Sequence, residues 1–381
     1  MAPLHQLVAT NSEVMRPTYV EVEMGAITAN LAAIRARVGG AKVMAIVKAN
    51  AYGHGIIEMA KLMEAQQADM LGVAFLEEAV LLREHGITMP ILVFGGIAKD
   101  QIPLFLKLGL SATAPSVEKL TLINEAAAAL GVQARVHLKI DTGMERIGVH
   151  YYNADKLLEA SLACDHCTVE GIYSHFANAD AEDLSDARLQ LERFQKVLEF
   201  YDRRSLPVPM RHIANSAGVL ALPESHLDMV RPGIMLYGVY PSAETVRTVD
   251  LRPALTWRSH VAYFKVLPAG QGVSYGSTWS SDHPVRLVTV PVGYGDGYFR
   301  ALSNQGEVLI RGIRYPIVGR VCMDQAMVNL EQGTAYNGDK VTLVGHDEGE
   351  TITVDDLAKW AGTIPYEVLT SINTRVPRVY R

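Results

Sequence analysis

Eight short apolar runs, separated by segments with helical periodicity, constrain the fold more than any other feature of the chain. Such runs are typical of strands buried on both faces, and intervening helices are typical of parallel pairing. Eight units predict a parallel (β/α)8 barrel of the TIM-like type. The main rival is a doubly wound open sheet, and the count of eight argues against it. The predicted barrel strands are 43–47, 70–74, 91–94, 111–113, 134–140, 169–174, 211–214 and 228–231.

Beyond about residue 245 the pattern changes to alternating or apolar runs between Gly, Pro and Asn residues, which is typical of β structure. We therefore predict a barrel domain over 1–245 and a mostly β domain over 246–381. A further strand is predicted at 18–23, and its packing with the C-terminal domain stays open. The predicted elements of the second domain are strands 255–266, 285–292, 307–310, 315–318, 326–330 and 340–344, with one helix near 355–360.

The composition excludes several classes of function. The chain has 381 residues, of which 20% are charged, and a net charge of −6 without any basic run. Nucleic-acid binding therefore has no support. Residues 1–16 lack the apolar core of a signal peptide, and their role stays open, with a lead-in as one interpretation; no segment reaches the length of a membrane span. We expect a cytoplasmic protein.

The three cysteines predict neither a metal site nor a redox site. Cys164 and Cys167 have C-x-x-C spacing, but zinc would need a second pair of ligands, and the context is not a thioredoxin-like unit. Cys322 stands alone and is interpreted as a packed residue. We expect no metal.

A lysine directly follows the first barrel strand. Residues 43–47 are apolar, Lys48 comes next, and a turn of small residues leads to Gly53 and Gly55. Burial lowers the pKa of a lysine, which frees the amine to attack a carbonyl and form a Schiff base. The alternative is a lysine whose ammonium group simply reaches solvent from the strand end. The stretch alone does not decide between the two.

Polar residues also follow other predicted strands, at the end of a barrel where active sites lie. They include hydroxyls, a histidine, a glycine amide and two arginines: Tyr52, Arg146, His175, Ser216, Arg231 and Gly233. Hydroxyls and amides at helix N-termini suit a phosphate dianion, and an amine beside a phosphate site is what pyridoxal 5′-phosphate requires. Each residue also has a structural interpretation, such as a surface arginine or a helix N-cap. Their shared location favours the cofactor.

At seven places the chain resembles the alanine racemases, a family of fold-type III pyridoxal-phosphate enzymes. The first is Ala45-Ile-Val-Lys48-Ala-Asn-Ala-Tyr52-Gly-His54-Gly, which looks like the family's cofactor-lysine signature. The others are His137-Leu-Lys-Ile-Asp-Thr-Gly-Met-Glu-Arg146-Ile-Gly, Val230-Arg-Pro-Gly-Ile-Met-Leu-Tyr237-Gly, Val273-Ser-Tyr275-Gly, Gly293-Tyr-Gly-Asp-Gly297, Gly319-Arg-Val-Cys-Met323-Asp324 and Ile364-Pro-Tyr366-Glu. Seven motifs in the family's order make the resemblance very specific.

The resemblance implies racemisation by two bases, with Lys48 binding the cofactor and acting on one face of the substrate Cα. Tyr275 would be the second base, reaching in from the other subunit of a homodimer; the alternative is a packed aromatic in a Gly-rich turn. Racemisation removes a proton from one face and returns it to the other, so bases on opposite faces suit it. The implied contacts are Tyr52, His175, Ser216, Arg231, Gly233, Ile234 and Tyr366 for the cofactor, and Arg146 and Met323 for the substrate.

Further roles are implied for residues around the cofactor ring. Arg231 would face the pyridine nitrogen, supported by His175. Because a guanidinium stays protonated, it cannot hand that nitrogen a proton, which should suppress side reactions such as transamination. Lys139 would carry a carbamate facing Arg146, the alternative being an unmodified Lys139 paired with Asp141. The residues that resemble an entrance lining are Asp180, Tyr294 and Arg320.

The implied function is interconversion of L-alanine and D-alanine, either to supply D-alanine for peptidoglycan or to degrade it. Three alternatives stay open: a racemase of the same fold with serine, lysine or broader specificity, a decarboxylase on the same scaffold, and a non-catalytic pyridoxal-phosphate carrier. Tyr275 and Tyr366 would narrow the pocket and favour alanine, and Arg231 stands where a decarboxylase would have an acidic residue. The β-rich region after residue 245 argues against a carrier made of the barrel alone.

Overall fold

The computed structural model describes residues 16–381, so the predicted lead-in, apart from Arg16, lies outside the described residues. The described residues divide into two compact units, 27–252 and 16–26 together with 253–381. We call them the barrel unit and the β unit. The first described element is strand β1 (Tyr19–Val22) of the β unit, and the chain then passes into the barrel unit within helix α1 (Met24–Val38).

The barrel unit contains the eight predicted strands, all paired in parallel. They are β2 (Lys42–Ile46), β3 (Met70–Val73), β4 (Ile91–Val93), β5 (Ser111–Ala114), β6 (Ala134–Asp141), β8 (Cys167–Tyr173), β9 (Met210–His212) and β10 (Met229–Val230), with a short β7 (Val149–His150) beside β6. Their order in the sheet is β10-β2-β3-β4-β5-β6-β8-β9. The prediction of a (β/α)8 barrel is therefore confirmed.

The barrel closes between β9 and β10 without a continuous ladder. Two backbone hydrogen bonds cross this seam: the Asp228 N–H donates to the Arg211 carbonyl oxygen at 3.1 Å, and the Arg231 N–H donates to the Ala214 carbonyl oxygen at 2.9 Å. The Asp228 carboxylate also accepts two 2.8 Å hydrogen bonds from the Arg211 guanidinium. The seam is thus short, and a side-chain ion pair supports one end of it.

Close packing inside the barrel fixes particular residue types. Four of the five residues of β2 are buried, as expected for a strand covered on both faces. On the neighbouring strand, a Cβ at Gly72 would lie 2.6 Å from Cδ1 of Ile46 and 2.7 Å from a ring carbon of Phe94. Only glycine leaves room for both side chains at this point.

Helices cover the barrel strands. They are α2 (Ile56–Ala65), α3 (Leu76–Glu84), α4 (Ile102–Lys107), α5 (Val117–Leu130), α6 (Ala154–Leu162), α7 (Ser185–Arg204) and α8 (Ser216–Ala221). Helix α5 begins where Oγ of Ser116 accepts a hydrogen bond from the Lys119 N–H at 3.2 Å, and it ends at Gly131, whose φ is 66°. Within residues 16–381, no helix combines the length and the apolar character needed to span a bilayer.

The β unit consists mainly of two antiparallel sheets. Its further strands are β11 (Leu255–His260), β12 (Tyr263–Leu267), β13 (Val285–Val290), β14 (Glu307–Ile310), β15 (Ile313–Pro316), β16 (Ala326–Glu331), β17 (Lys340–Asp347), β18 (Glu350–Ile352) and β19 (Arg378–Tyr380). One sheet has the order β15-β14-β17-β11-β1-β19 and the other β12-β13-β16. Strand β1 pairs antiparallel with β11 and parallel with β19.

Two features of the β unit differ from the prediction. The predicted strand 255–266 is two strands, because the chain leaves one sheet and enters the other near Val261. The Val261 N–H donates to the Asp339 carbonyl oxygen, whereas the next N–H, of Ala262, donates to the Thr289 carbonyl oxygen, each at 2.8 Å. Where one helix was predicted there are two, α9 (Val354–Ala361) and α10 (Pro365–Ser371).

Candidate active site

A left-handed turn follows Lys48 at the end of β2. Residues 49 to 52 are all non-glycine, yet their φ angles are 52°, 54°, 53° and 52°. This conformation costs an L-residue about 1–2 kcal/mol. The turn therefore holds strain directly beside the lysine, as is common at functional sites.

Side chains outside the turn hold it in place. The Glu78 carboxylate accepts hydrogen bonds from the Ala49 N–H at 2.6 Å and the Ala74 N–H at 2.7 Å, so it ties the turn to the end of β3. Within the turn, Oδ1 of Asn50 accepts a hydrogen bond from the Ile56 N–H at 2.9 Å, at the start of α2. The backbone around Lys48 is thus fixed from two sides.

The Lys48 amine lies in a positively charged environment. Burial is the main cause that lowers its pKa, and the nearby Arg146 and Arg231 lower it further, whereas Glu78 opposes them. A lowered pKa increases the fraction of free amine, which is the form that attacks a carbonyl. The barrel thus brings Lys48 together with two arginines that were predicted from the sequence.

A hydroxyl and amide cluster lies where Tyr52 meets the segment after β10. The Gly233 N–H donates to Oγ of Ser216 at 2.9 Å, and Ile234 begins a 3₁₀ turn, Ile234–Tyr237. A Cβ at Gly233 would overlap the Tyr52 hydroxyl, so only glycine lets the phenol approach the backbone this closely. Four predicted phosphate-site residues therefore lie together, and their hydroxyl and amide groups are suitable donors to an anion.

Arg231 is buried and held by hydrogen bonds from its guanidinium. Nη1 donates to Nδ1 of His212 at 2.8 Å, and Nη2 donates to the Ser174 carbonyl oxygen at 2.7 Å, the Ile213 carbonyl oxygen at 3.1 Å and Nδ1 of His175 at 3.2 Å. Burial lowers the pKa of Arg231 to about 10, so the group stays protonated at neutral pH. No acceptor within residues 16–381 meets its Nε, which leaves an oriented donor for a ligand.

His212 was not predicted from the sequence, because it lies within β9 rather than after it. It is fully buried, and burial followed by the charge of Arg231 holds its pKa well below the ordinary value. A signal was present: His212 stands beside the apolar Ile213 in a predicted barrel strand, where a buried polar side chain needs a partner.

Lys139 is buried at the end of β6. Its Nζ donates to the Ile140 carbonyl oxygen at 2.9 Å and lies 5.1 Å from the centre of the Tyr173 ring. Burial, followed by the charge of Arg231, lowers its pKa to about 7. The Asp141 carboxylate instead accepts hydrogen bonds from three backbone N–H groups, those of Gly143, Met144 and Arg146.

Tyr275 and Met323 lie on neighbouring loops of the β unit. Their exposed fractions are 69% and 53%. Ser274, with a φ of 63° and a ψ of −172°, donates from Oγ to the Arg320 carbonyl oxygen at 2.6 Å and so joins the two loops. The third predicted residue of this unit, Tyr366, is half-buried in α10.

An ion-pair cluster that was not predicted braces the second of these loops. The buried carboxylate of Asp296 accepts hydrogen bonds from Arg16 at 2.8 Å and from Arg375 at 2.7 Å. Arg375 also donates to Asp324, beside Met323, at 2.7 Å. The partners lie far apart in sequence, so no local pattern could have indicated the cluster.

Comparison with known proteins identifies the family. The model of the alanine racemase N-terminal domain matches residues 22–241, and that of the C-terminal domain matches residues 254–380. The chain is 45% identical to the alanine racemase of Carboxydothermus hydrogenoformans, over 96% of this chain and 100% of that protein.

The chain belongs to the alanine racemase family. A second alanine racemase, from Halothermothrix orenii, is 40% identical over 97% of this chain and 98% of its own length. Among solved structures, an alanine racemase from Clostridium difficile 630 superposes with a TM-score of 0.91 at 36% identity, covering 97% of both chains. An alanine racemase from Streptomyces lavendulae gives 0.92 at 38% identity, covering 97% of this chain and 98% of that one. Alanine racemases are isomerases, so this chain is an enzyme of that class.

Proposed function

We propose that this enzyme interconverts L-alanine and D-alanine with pyridoxal 5′-phosphate bound in the barrel unit. The observation that carries the proposal is the desolvated Lys48 amine beside Arg146 and Arg231 at the carboxyl end of the barrel. Relatives over the full chain length carry the name alanine racemase. The proposal includes a cytoplasmic homodimer that supplies D-alanine for peptidoglycan or degrades it.

The donor set of the barrel unit suits this cofactor. Tyr52, Ser216, Gly233 and Ile234 would hold the phosphate, and Nε of Arg231 would donate to the ring nitrogen. When bound through Lys48, pyridoxal 5′-phosphate supplies a conjugated ring that withdraws electrons from the substrate Cα. Because Arg231 keeps its proton, it would offer the ring nitrogen a hydrogen bond and no proton, which would limit this withdrawal and favour racemisation over transamination.

Two bases on opposite faces would move the α-proton. The Lys48 amine would take or give the proton on one face, and the phenol oxygen of Tyr275 would do so on the other. We propose that Tyr275 and Met323 come from the second subunit. Arg146 and the Met323 N–H would bind the substrate carboxylate, with Arg146 supplying the charge-assisted contact.

We further propose that Lys139 carries a carbamate. A pKa of about 7 leaves much of the amine unprotonated at neutral pH, and this amine can add to carbon dioxide, forming a C–N bond and releasing a proton. The resulting anion would balance the positive charge of Arg146, which lowers the pKa of the unmodified amine. The carbamate would thus orient Arg146 for the substrate.

Borohydride reduction tests the cofactor assignment. The purified protein should be yellow, lose its visible band on reduction, and yield one labelled peptide that contains Lys48. The matched control is Lys42, exposed at the other end of the same strand, which should carry no label. A colourless protein, or label elsewhere, would contradict the assignment.

A panel of L-amino acids assayed for the D-product tests the substrate. L-Alanine should be converted fastest, whereas L-serine and L-lysine should be poor substrates. Faster conversion of serine or lysine would replace alanine in the proposal, and absence of any D-product would leave only a binding protein.

A further inference from the structure

A chain of polar side chains runs through the barrel interior behind Arg231. Nη1 of Arg231 lies 2.8 Å from Nδ1 of His212, and Nε2 of His212 lies 2.9 Å from Nδ1 of His137. Nε2 of His137 faces Oε2 of Glu170 at 3.7 Å, about 0.5 Å beyond ordinary hydrogen-bond length. Four side chains from four different strand regions are therefore in line.

Neighbouring residues leave room for this row of side chains and hold its two imidazole rings. His137 and His212 are fully buried. A Cβ at Gly171 would overlap the His137 ring, so the glycine on β8 makes room for the imidazole. Tyr173 stacks on His212 with ring centres 4.9 Å apart and planes 3° from parallel. Each ring is thus held in one orientation.

The chemistry of Arg231 sets the direction of hydrogen-bond donation along this row of side chains. A guanidinium can only donate, so Nδ1 of His212 must accept. A neutral imidazole has one donor and one acceptor nitrogen, and burial lowers the pKa of both histidines. His212 therefore donates from Nε2 to His137, and His137 must donate from its own Nε2. Among residues 16–381, this last donor meets no hydrogen-bond acceptor within bonding distance, and Glu170 is the carboxylate that faces it.

Glu170 is built to remain a charged acceptor. Oγ of Ser111 donates to its Oε2 at 2.6 Å, and Nε of Arg135 lies 3.3 Å from its Oε1. Partial burial favours the neutral acid, but the nearby His137 ring, the hydrogen bond from Ser111 and the charge of Arg135 outweigh it, so the pKa of Glu170 lies below its ordinary value. The carboxylate thus provides the acceptor that the chain requires.

We propose that Glu170 is a positioning residue for Arg231, acting as the terminal acceptor that stabilises the Nε2–H tautomers of His137 and His212, which match the donor of Arg231 at the other end. With both tautomers fixed, Nδ1 of His212 always presents a lone pair to Nη1, and the guanidinium keeps its Nε aimed into the site. Reversed tautomers would place a donor against a donor at Arg231. The consequence for alanine turnover rests on the proposed function, whereas the tautomers do not.

Two substitutions and a control test the assignment in the full-length enzyme. Glu170→Met removes the acceptor at similar size, and Glu170→Gln keeps an amide oxygen that can still accept. The control is Glu64→Met, in the same unit. It removes a carboxylate that accepts hydrogen bonds from the Thr88 and Met89 N–H groups and is not part of the row from Arg231 to Glu170. The readouts are 15N spectra of protein labelled only at histidine, and kcat and KM for L-alanine.

In the starting enzyme, both histidines should show a bare Nδ1 and a protonated Nε2. Glu170→Met should mix the tautomers and lower kcat about tenfold with little change in KM, the size expected when a buried donor loses its acceptor. Glu170→Gln should restore the single tautomer and most of kcat, and Glu64→Met should resemble the starting enzyme.

Unchanged histidine spectra in Glu170→Met would overturn the proposal. So would a kcat loss no larger than that of Glu64→Met, or a loss in Glu170→Gln as large as in Glu170→Met with its tautomers intact. If the starting enzyme racemised nothing, the proposed function would fail, while the spectra would still decide the role of Glu170.

Discussion

The barrel unit and the β unit present their proposed catalytic groups in opposite ways. Arg231 and Lys139 are enclosed within the barrel unit and hydrogen-bonded inside it, whereas Tyr275 and Met323 lie more than half exposed on loops of the β unit. Both proposed bases nevertheless adjoin a non-glycine residue with positive φ, Ala49 after Lys48 and Ser274 before Tyr275. The backbone beside each proposed base is thus constrained, but only the barrel unit buries its proposed groups, Arg231 and Lys139.

The difference teaches how a site with two faces can be divided. Groups that bind a planar cofactor from one side can be built into the wall of a barrel. A base for the opposite face has to approach from elsewhere. Exposed aromatic and methionine side chains on a braced surface are typical of groups that meet another molecule, which supports the proposed second subunit.

Mixing two inactive variants tests whether the barrel unit of one subunit and the β unit of the other share an active site. Lys48→Ala should lose cofactor attachment and nearly all activity, and Tyr275→Phe should slow racemisation by about 10²–10⁴-fold while keeping the cofactor. Refolded together, they should regain about a quarter of full activity, because half of the dimers are mixed and each then has one intact site. Activity assays and subunit labelling measure this.

No recovery in mixed dimers would place both bases within one chain. Equal loss of cofactor and activity in Tyr275→Phe would contradict its role as a base. Lys42→Ala, mixed in the same way, should behave as unsubstituted protein.

The burial of Lys139 in the barrel unit can be tested through the pH dependence of stability. Lys139 has a pKa of about 7 in the folded state against an ordinary value of 10.5. Between these values the unfolded chain binds the additional proton, so this residue makes stability rise with pH. In buffer free of carbon dioxide, Lys139→Met should remove a slope on the order of a few kcal/mol across this window.

Urea unfolding at several pH values measures this effect. Lys99→Met, at an exposed position, should leave the slope unchanged. Adding bicarbonate should raise the stability of the unsubstituted protein and keep its slope over this window, because a folded-state carbamate reverts on unfolding to an amine that takes up a proton. A slope that is the same with and without Lys139 would contradict the assigned burial effect.

The smallest effect concerns the strained turn. Ala49 is exposed and has a φ of 52°, so Ala49→Gly removes a conformational cost without removing packing and should stabilise the protein by about 0.5–1 kcal/mol. Ala32→Gly, exposed within α1, should instead destabilise it by about 1 kcal/mol. The urea midpoint measures both, and a shift of the same sign in both variants would contradict the left-handed turn.

The architecture was predictable because local sequence patterns indicate its strands and helices. Apolar runs located all eight barrel strands to within a few residues, since strands covered on both faces need continuous apolar sequence. The run 255–266 misled because its pattern continues through Val261, where long-range pairing with Asp339 and Thr289 decides which sheet each part joins. Register between distant strands leaves little local trace.

Candidate site residues could be proposed from the sequence where they follow strands or form motifs. The positions of Lys48, Arg231 and Gly233 followed from strand ends, and the family resemblance added Tyr275. His212 and Glu170 were missed because they lie within strands. The handedness of the turn after Lys48 had no signal either, since it is imposed by hydrogen bonds such as that from Ala49 to Glu78.

The seam between β9 and β10 gives Arg231 two tasks. Its backbone N–H closes the ring of strands by bonding to Ala214, while its guanidinium is fixed by His212 and Ser174. Barrel closure and orientation of the guanidinium therefore depend on the same residue. A nascent or damaged chain whose last barrel strand has not docked has no properly oriented arginine. An incompletely closed barrel therefore also lacks a competent site.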